Sequence, residues 1–243
     1  MRSGNPSLST HPFRARAASG EKVMTLNGTL HRAMFLLAVT VAVATFAWST
    51  VSEQPELIPV FIWGGIIAGL VMMLASIFAP RIVPFTAPIY VICKGGFIGA
   101  FSFRYEAQFD GIVLQAVYVT FAVCAAMLLL YRFKIIRPTP KLRTGIAVAT
   151  TAIFLVYVVS LIGRFVGFHV PHLHESTPLG IALSVVFVAV ASFSLIVDFD
   201  DIAKGVRNRS PKLYEWYGAF SLLVTLIWLY IEILRLLRKL RSR

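Results

Sequence analysis

The chain has 243 residues, of which 58% are hydrophobic and only 14% charged, and its mean hydropathy is +0.78. Soluble domains carry about 25% charged residues, so this composition excludes one and points to membrane-crossing helices. The net charge of +12 does not indicate a nucleic-acid partner, because most of the Lys and Arg residues lie between apolar runs or at the two ends, where they face anionic lipid.

Residues 1–32 read as a basic cytoplasmic tail with no cleavable signal-peptide pattern. Seven apolar runs follow, at 33–51, 58–79, 85–103, 112–131, 145–162, 179–197 and 216–234. At about 1.5 Å per residue each run roughly spans a ~30 Å hydrocarbon layer. The expected fold is therefore an all-α membrane protein, a bundle of seven transmembrane helices. Its polytopic domain covers 33–234 and a second basic tail covers 235–243. Pro88 and the glycines of the third run are tolerable where neighbouring helices satisfy the freed backbone groups. Cys93 and Cys124 each lie inside an apolar run without CxxC spacing and read as packing residues.

Orientation follows from the basic residues. With the N-terminus inside, inner segments carry 15 Lys and Arg and outer segments 7, while Lys94 lies within a span. The loop with Glu53 and Glu56 holds no basic residue, as an outer loop should. The C-terminal group Arg235, Arg238, Lys239, Arg241 and Arg243 resists this scheme, since seven crossings put it outside. Either that group is an exception or one late segment is re-entrant; seven full crossings are the expectation.

Several polar groups inside or beside the spans need a reason. Lys94, in IYVICKGGFIGAF, is costly at mid-span unless it snorkels, meets water or finds a counter-charge. Gly65-x-x-x-Gly69 and Gly95-x-x-x-Gly99 have the spacing of close helix contacts. Asp198, Asp200 and Asp201 mark the end of the sixth run, where carboxylates oppose the helix dipole. They read either as a hydrated ion-pair network with Lys204 and Arg207 or as a proton- or cation-responsive gate. Glu232 and Arg235, three residues apart, read as an interfacial pair. Glu106 and Asp110 are candidates for a polar mouth. His172, His174 and Glu175 are too few for a convincing metal site, and no nucleotide loop, nucleophile elbow or catalytic triad occurs. A non-enzymatic protein without a cofactor is expected.

The stretches APIYVICKGGFIGAFS (87–102), GIVLQAVYVTF (111–121), LIVDFDDI (195–202) and EWYGAFSLLVTLIWLYIEILRLL (215–237) together resemble the Bax inhibitor family of transmembrane proteins, specifically its bacterial YccA-like branch. The resemblance implies a compact seven-helix bundle with the last helix surrounded by the others, in a bacterial inner membrane. It implies calcium leakage or ion homeostasis, stress protection and, in that branch, regulation of a membrane-bound ATP-dependent protease. It also implies a gate in which an acidic pair responds to pH. Asp198 matches the sixth-helix aspartate, with Asp201 nearby. Thr225 stands where the seventh-helix aspartate would be, and Lys94 where a third-helix glutamate would be. The two-carboxylate sensor is thus incomplete, and a Lys94–Asp198 pair suggests itself as an alternative inner seal. A pH-modulated calcium leak and a non-conducting regulator of a protease or stress-response complex are the two functional expectations. Membrane lipids, calcium ions and such a protease are the expected partners.

Overall fold

The structure, a computed structural model, describes residues 13, 17, 20–166 and 175–242, with only the backbone of 164–166. Among the described residues there are seven α-helices and no strand: α1 Leu26–Glu53, α2 Ile58–Phe78, α3 Val83–Glu106, α4 Ile112–Arg132, α5 Pro140–Val166, α6 Pro178–Arg207 and α7 Tyr214–Arg241. All seven are long and apolar enough to cross a membrane, so the chain is a multi-pass membrane protein.

Local chemistry sets the helix starts. Thr25, Thr139 and Thr177 stand immediately before α1, α5 and α6, and each side-chain oxygen accepts a first-turn backbone N–H, from Gly28 (3.0 Å), Leu142 (3.3 Å) and Gly180 (3.1 Å). These hydroxyls satisfy donors that have no partner within the helix. Pro140 and Pro178 open α5 and α6, where a missing N–H is no loss. α4 starts differently. Gly111 adopts φ 73°, and the Glu106 carboxylate accepts the N–H groups of Gly111 (2.6 Å) and Val113 (2.9 Å).

Three boundaries differ most from the sequence expectation. α1 begins at Leu26, so Arg32 is helical and not part of the tail. α6 runs on through Asp198 and the following acidic residues to Arg207. α7 continues to Arg241, so most of the expected 235–243 tail is helix. Beyond the apolar runs of α6 and α7 polar residues do not end the helix, because Lys and Arg are good helix formers in water as well.

The chain divides into two compact units, Met1–Phe103 with Asp198–Leu223, and Arg104–Val197 with Val224–Arg243. In the first unit, the glycine motifs decide how α1, α2 and α3 pack. A Cβ on Gly65 would lie 2.6 Å from the Cys93 carbonyl oxygen, and one on Gly99 would strike the Ala44 carbonyl oxygen. The glycines of α2 therefore admit α3, and those of α3 admit α1, backbone against side chain or backbone. A hydroxyl pair, Ser76 and Thr86 at 2.7 Å, also joins α2 to α3.

In the second unit, Ile153 of α5 and Phe187 of α6 form a buried cluster with Tyr157, Val190 and Trp228. At the far end of α7, the Lys239 ammonium donates to the Gly180 carbonyl and the Ser184 hydroxyl, both at 2.8 Å. Arg241 donates to the Asp110 carbonyl (2.6 Å) and to Gln115 (2.9 Å). The end of α7 thus lies with the starts of α4 and α6. α7 is a helix long and apolar enough for a seventh crossing, and Lys239 and Arg241 at its end bind backbone and side-chain oxygens.

Candidate functional site

Asp198 lies on α6, more than two turns before the helix ends. The dipole argument for an unfavourable carboxylate at a C-terminus therefore does not apply, because the effect fades within the last turn. Its Oδ1 accepts the Ser221 hydroxyl of α7 at 2.7 Å. The sequence suggests Lys94 as the partner of Asp198, with Thr225, one turn beyond Ser221 on α7, in the place of a second aspartate. Thr225 is buried, but the hydroxyl that reaches Asp198 is that of Ser221. A serine in FSLLVT carries no signal that marks it as a carboxylate ligand, and only the pairing of α6 with α7 reveals it.

The remaining acids of α6 separate by function. Asp200 is buried and pairs with Lys204 at 2.6 Å, one turn on, and with Arg207 at 3.8 Å. This is the ion-pair network expected of the cluster. Asp201 is half-buried on the same helix. Asp198 is held by a neutral hydroxyl on another helix.

Lys94 occupies the middle of α3. Its Nζ lies 5.3 Å from the Phe97 ring centroid and 5.9 Å from that of Tyr90, within reach of cation–π attraction. Its stem fills the space left by Gly69, where an added Cβ would lie 2.6 Å from Lys94 Cε. Among the described residues no ion pair joins Lys94 to Asp198, so the expected inner seal of opposite charges is not the arrangement found. The two residues are instead connected through rings. Tyr90, one turn before Lys94, meets Phe220 edge-on at 5.0 Å, and Phe220 directly precedes Ser221.

Glu106 and Asp110 stand at the turn between α3 and α4, where the Asp110 side chain is exposed. The Glu106 carboxylate is occupied in capping α4, and Asp110 contributes its backbone carbonyl to Arg241. His172 and His174 lie outside the described residues, as do most residues of the basic N-terminal segment. Among the described residues no group of three His, Cys, Asp or Glu is placed to hold a metal ion.

One buried carboxylate, Glu215, carries no signal in the sequence, and a second, Glu232, has more partners than its spacing to Arg235 indicates. Glu215, fully buried at the start of α7, accepts the Thr25 N–H and hydroxyl, both at 2.9 Å, and pairs with Arg32. Glu232, 1% exposed, accepts the Tyr157 hydroxyl (2.7 and 2.9 Å), the Trp228 indole N–H (3.0 Å) and Arg235 (3.4 Å). The i,i+3 spacing correctly indicates the Arg235 contact; Glu232 is buried and also bonds to Tyr157 of α5, while Arg235 is 24% exposed. Arg235 also stacks over Tyr157, 4.7 Å from its ring centroid.

Seven membrane-length helices, two close-packed glycine motifs and an α6 aspartate held by α7 define a polytopic membrane protein with a polar inter-helix contact. Over residues 5–242 the chain matches the Bax inhibitor 1 like family. It belongs to that family of membrane proteins. Comparisons with curated proteins and with solved structures return no significant match.

Proposed function

We propose that this protein is a non-enzymatic ion-homeostasis protein whose calcium leak is modulated by pH at Asp198. One observation carries the reading: a single carboxylate on α6 accepts a hydroxyl from α7, at 2.7 Å, where the family resemblance implies an acidic pair. An ionised Asp198 holds Ser221 and keeps the two helices together. Protonation weakens that charge-assisted bond and loosens the contact. Lys94 supports the closed state in a different way, as a cation within a span that discourages a resting metal ion. A bacterial inner membrane, a cytoplasmic N-terminus and membership of the YccA-like branch belong to this reading, supported by the basic residues of the inner segments and the family resemblance.

The test is calcium flux into sealed proteoliposomes at matched protein insertion, ionic strength and membrane potential. Asp198→Asn, which keeps the side-chain shape but removes the titration, flattens the pH response. Ser221→Ala raises flux at neutral pH by releasing the contact. An unchanged pH response in Asp198→Asn removes Asp198 as the switch. The second reading, a non-conducting regulator of a membrane-bound ATP-dependent protease, draws on the replacement of two acids by Lys94 and Thr225. It is favoured if none of the three proteins conducts and the purified chain captures such a protease.

A further inference from the structure

At the start of α1 and α7 the first unit carries an open cleft of about 460 Å³. Its walls combine His31, Arg32 and Lys212 with the rings of Phe35 and Trp216. Glu215 is at its base, but that carboxylate is fully buried and occupied by Thr25 and Arg32. Arg32 is oriented from two sides: it donates to the Gly28 carbonyl at 3.2 Å and lies 5.2 Å from the Trp216 ring centroid. Its side chain remains 20% exposed. Lys212 is exposed, and among the described residues it has no ion-pair partner. The outward-facing chemistry is therefore cationic, although one buried acid lies behind it.

The apolar half of the cleft fixes the kind of anion. Phe35, one turn beyond His31, is 51% exposed and meets Trp216 edge-on at 6.4 Å. The apolar run of α1 begins at residue 33, so the basic groups stand at its polar edge and the rings at its apolar edge. A free phosphate uses only the first half. A phosphate attached to a glycerol and acyl chains uses both, and tryptophan beside basic residues suits that depth. We infer that the cleft binds the headgroup of an anionic glycerophospholipid, its phosphate between Arg32 and Lys212 and its glycerol and upper acyl region along Phe35 and Trp216. A lipid held there touches both α1 and α7.

The probe is phosphatidylglycerol, added to the detergent-purified full chain and compared with phosphatidylcholine by native mass spectrometry, with inorganic phosphate as competitor. The wild-type chain retains phosphatidylglycerol about tenfold better than phosphatidylcholine, a preference of about 1.4 kcal/mol. Lys212→Gln, at an exposed position, keeps the thermal stability of the lipid-free protein and loses most of that preference. Arg81→Gln removes the same charge from another exposed site and retains the preference. Equal retention of the two lipids overturns the inference, as does a loss in Arg81→Gln that matches Lys212→Gln. Displacement of the lipid by inorganic phosphate at equal concentration also overturns it, by assigning the cleft to a free anion.

Discussion

Removal of the Glu232 side chain tests whether buried polar contacts hold the second unit together. The carboxylate receives a hydroxyl, an indole N–H and a guanidinium, and among the described residues only the Tyr157 bond joins it to a different helix. Glu232→Ala leaves all three donors without this acceptor. Deleting one member of a buried ion pair costs about 3–5 kcal/mol. Arg235 is 24% exposed and keeps its position over Tyr157, so the expected loss is about 2–4 kcal/mol. Glu232→Gln retains one acceptor oxygen and loses the charge, for about 1–2 kcal/mol. Tyr157→Phe removes the inter-helix bond alone, and such bonds in membranes average about 0.6 kcal/mol. The assay is reversible unfolding of the purified protein in mixed micelles, with Tyr118→Phe, at an exposed tyrosine, as control. The double mutant Tyr157→Phe/Glu232→Gln then loses less than the two single changes together, because Glu232→Gln weakens the same bond that Tyr157→Phe removes. A Glu232→Ala protein within about 0.5 kcal/mol of wild type would refute this account, since that is the ordinary effect of a surface change.

The glycine contacts make an opposed pair of predictions: Gly99→Val forces α3 away from the Ala44 carbonyl and lowers the unfolding temperature by several degrees, whereas Gly145→Ala, at an α5 glycine with nothing near its Cβ position, stabilises by about 0.5–1 kcal/mol. Lys94→Met keeps the stem packed against Gly69 and removes a cation that rests on rings alone among the observed contacts; it raises thermal stability and basal flux relative to Arg132→Met, and equal values for both variants would reject a special role for the intramembrane charge. Cysteines engineered within residues 5–20 remain unlabelled by an impermeant thiol reagent added outside intact cells, whereas one engineered at position 242 is labelled. Labelling at 5–20 from outside would reverse the proposed orientation.

The sequence by itself determined the number and places of the helices and their membrane setting. Those properties depend on local sums: a run of about twenty apolar residues spans a bilayer whatever it later packs against. It also showed that Gly65, Gly69, Gly95 and Gly99 permit close approach, because spacing places small residues on one helix face. Spacing could not say which helix approaches, and the structure places α3 against α2 at one motif and α1 against α3 at the other. The helix ends were less legible, since Asp200, Lys204 and Lys239 end apolar runs yet continue their helices by bonding to each other or to distant carbonyl groups. The candidate site was the least legible part. Lys94 stood out because a charge within an apolar run is conspicuous, and Asp198 because three acids follow one. Ser221 and Glu215 look ordinary in the chain, and Glu232 announces only its neighbour Arg235. Their importance lies in partners 23, 190 and 75 positions away, and contacts across such separations arise only when packing has brought the helices together, where an acceptor removed from water must find a donor.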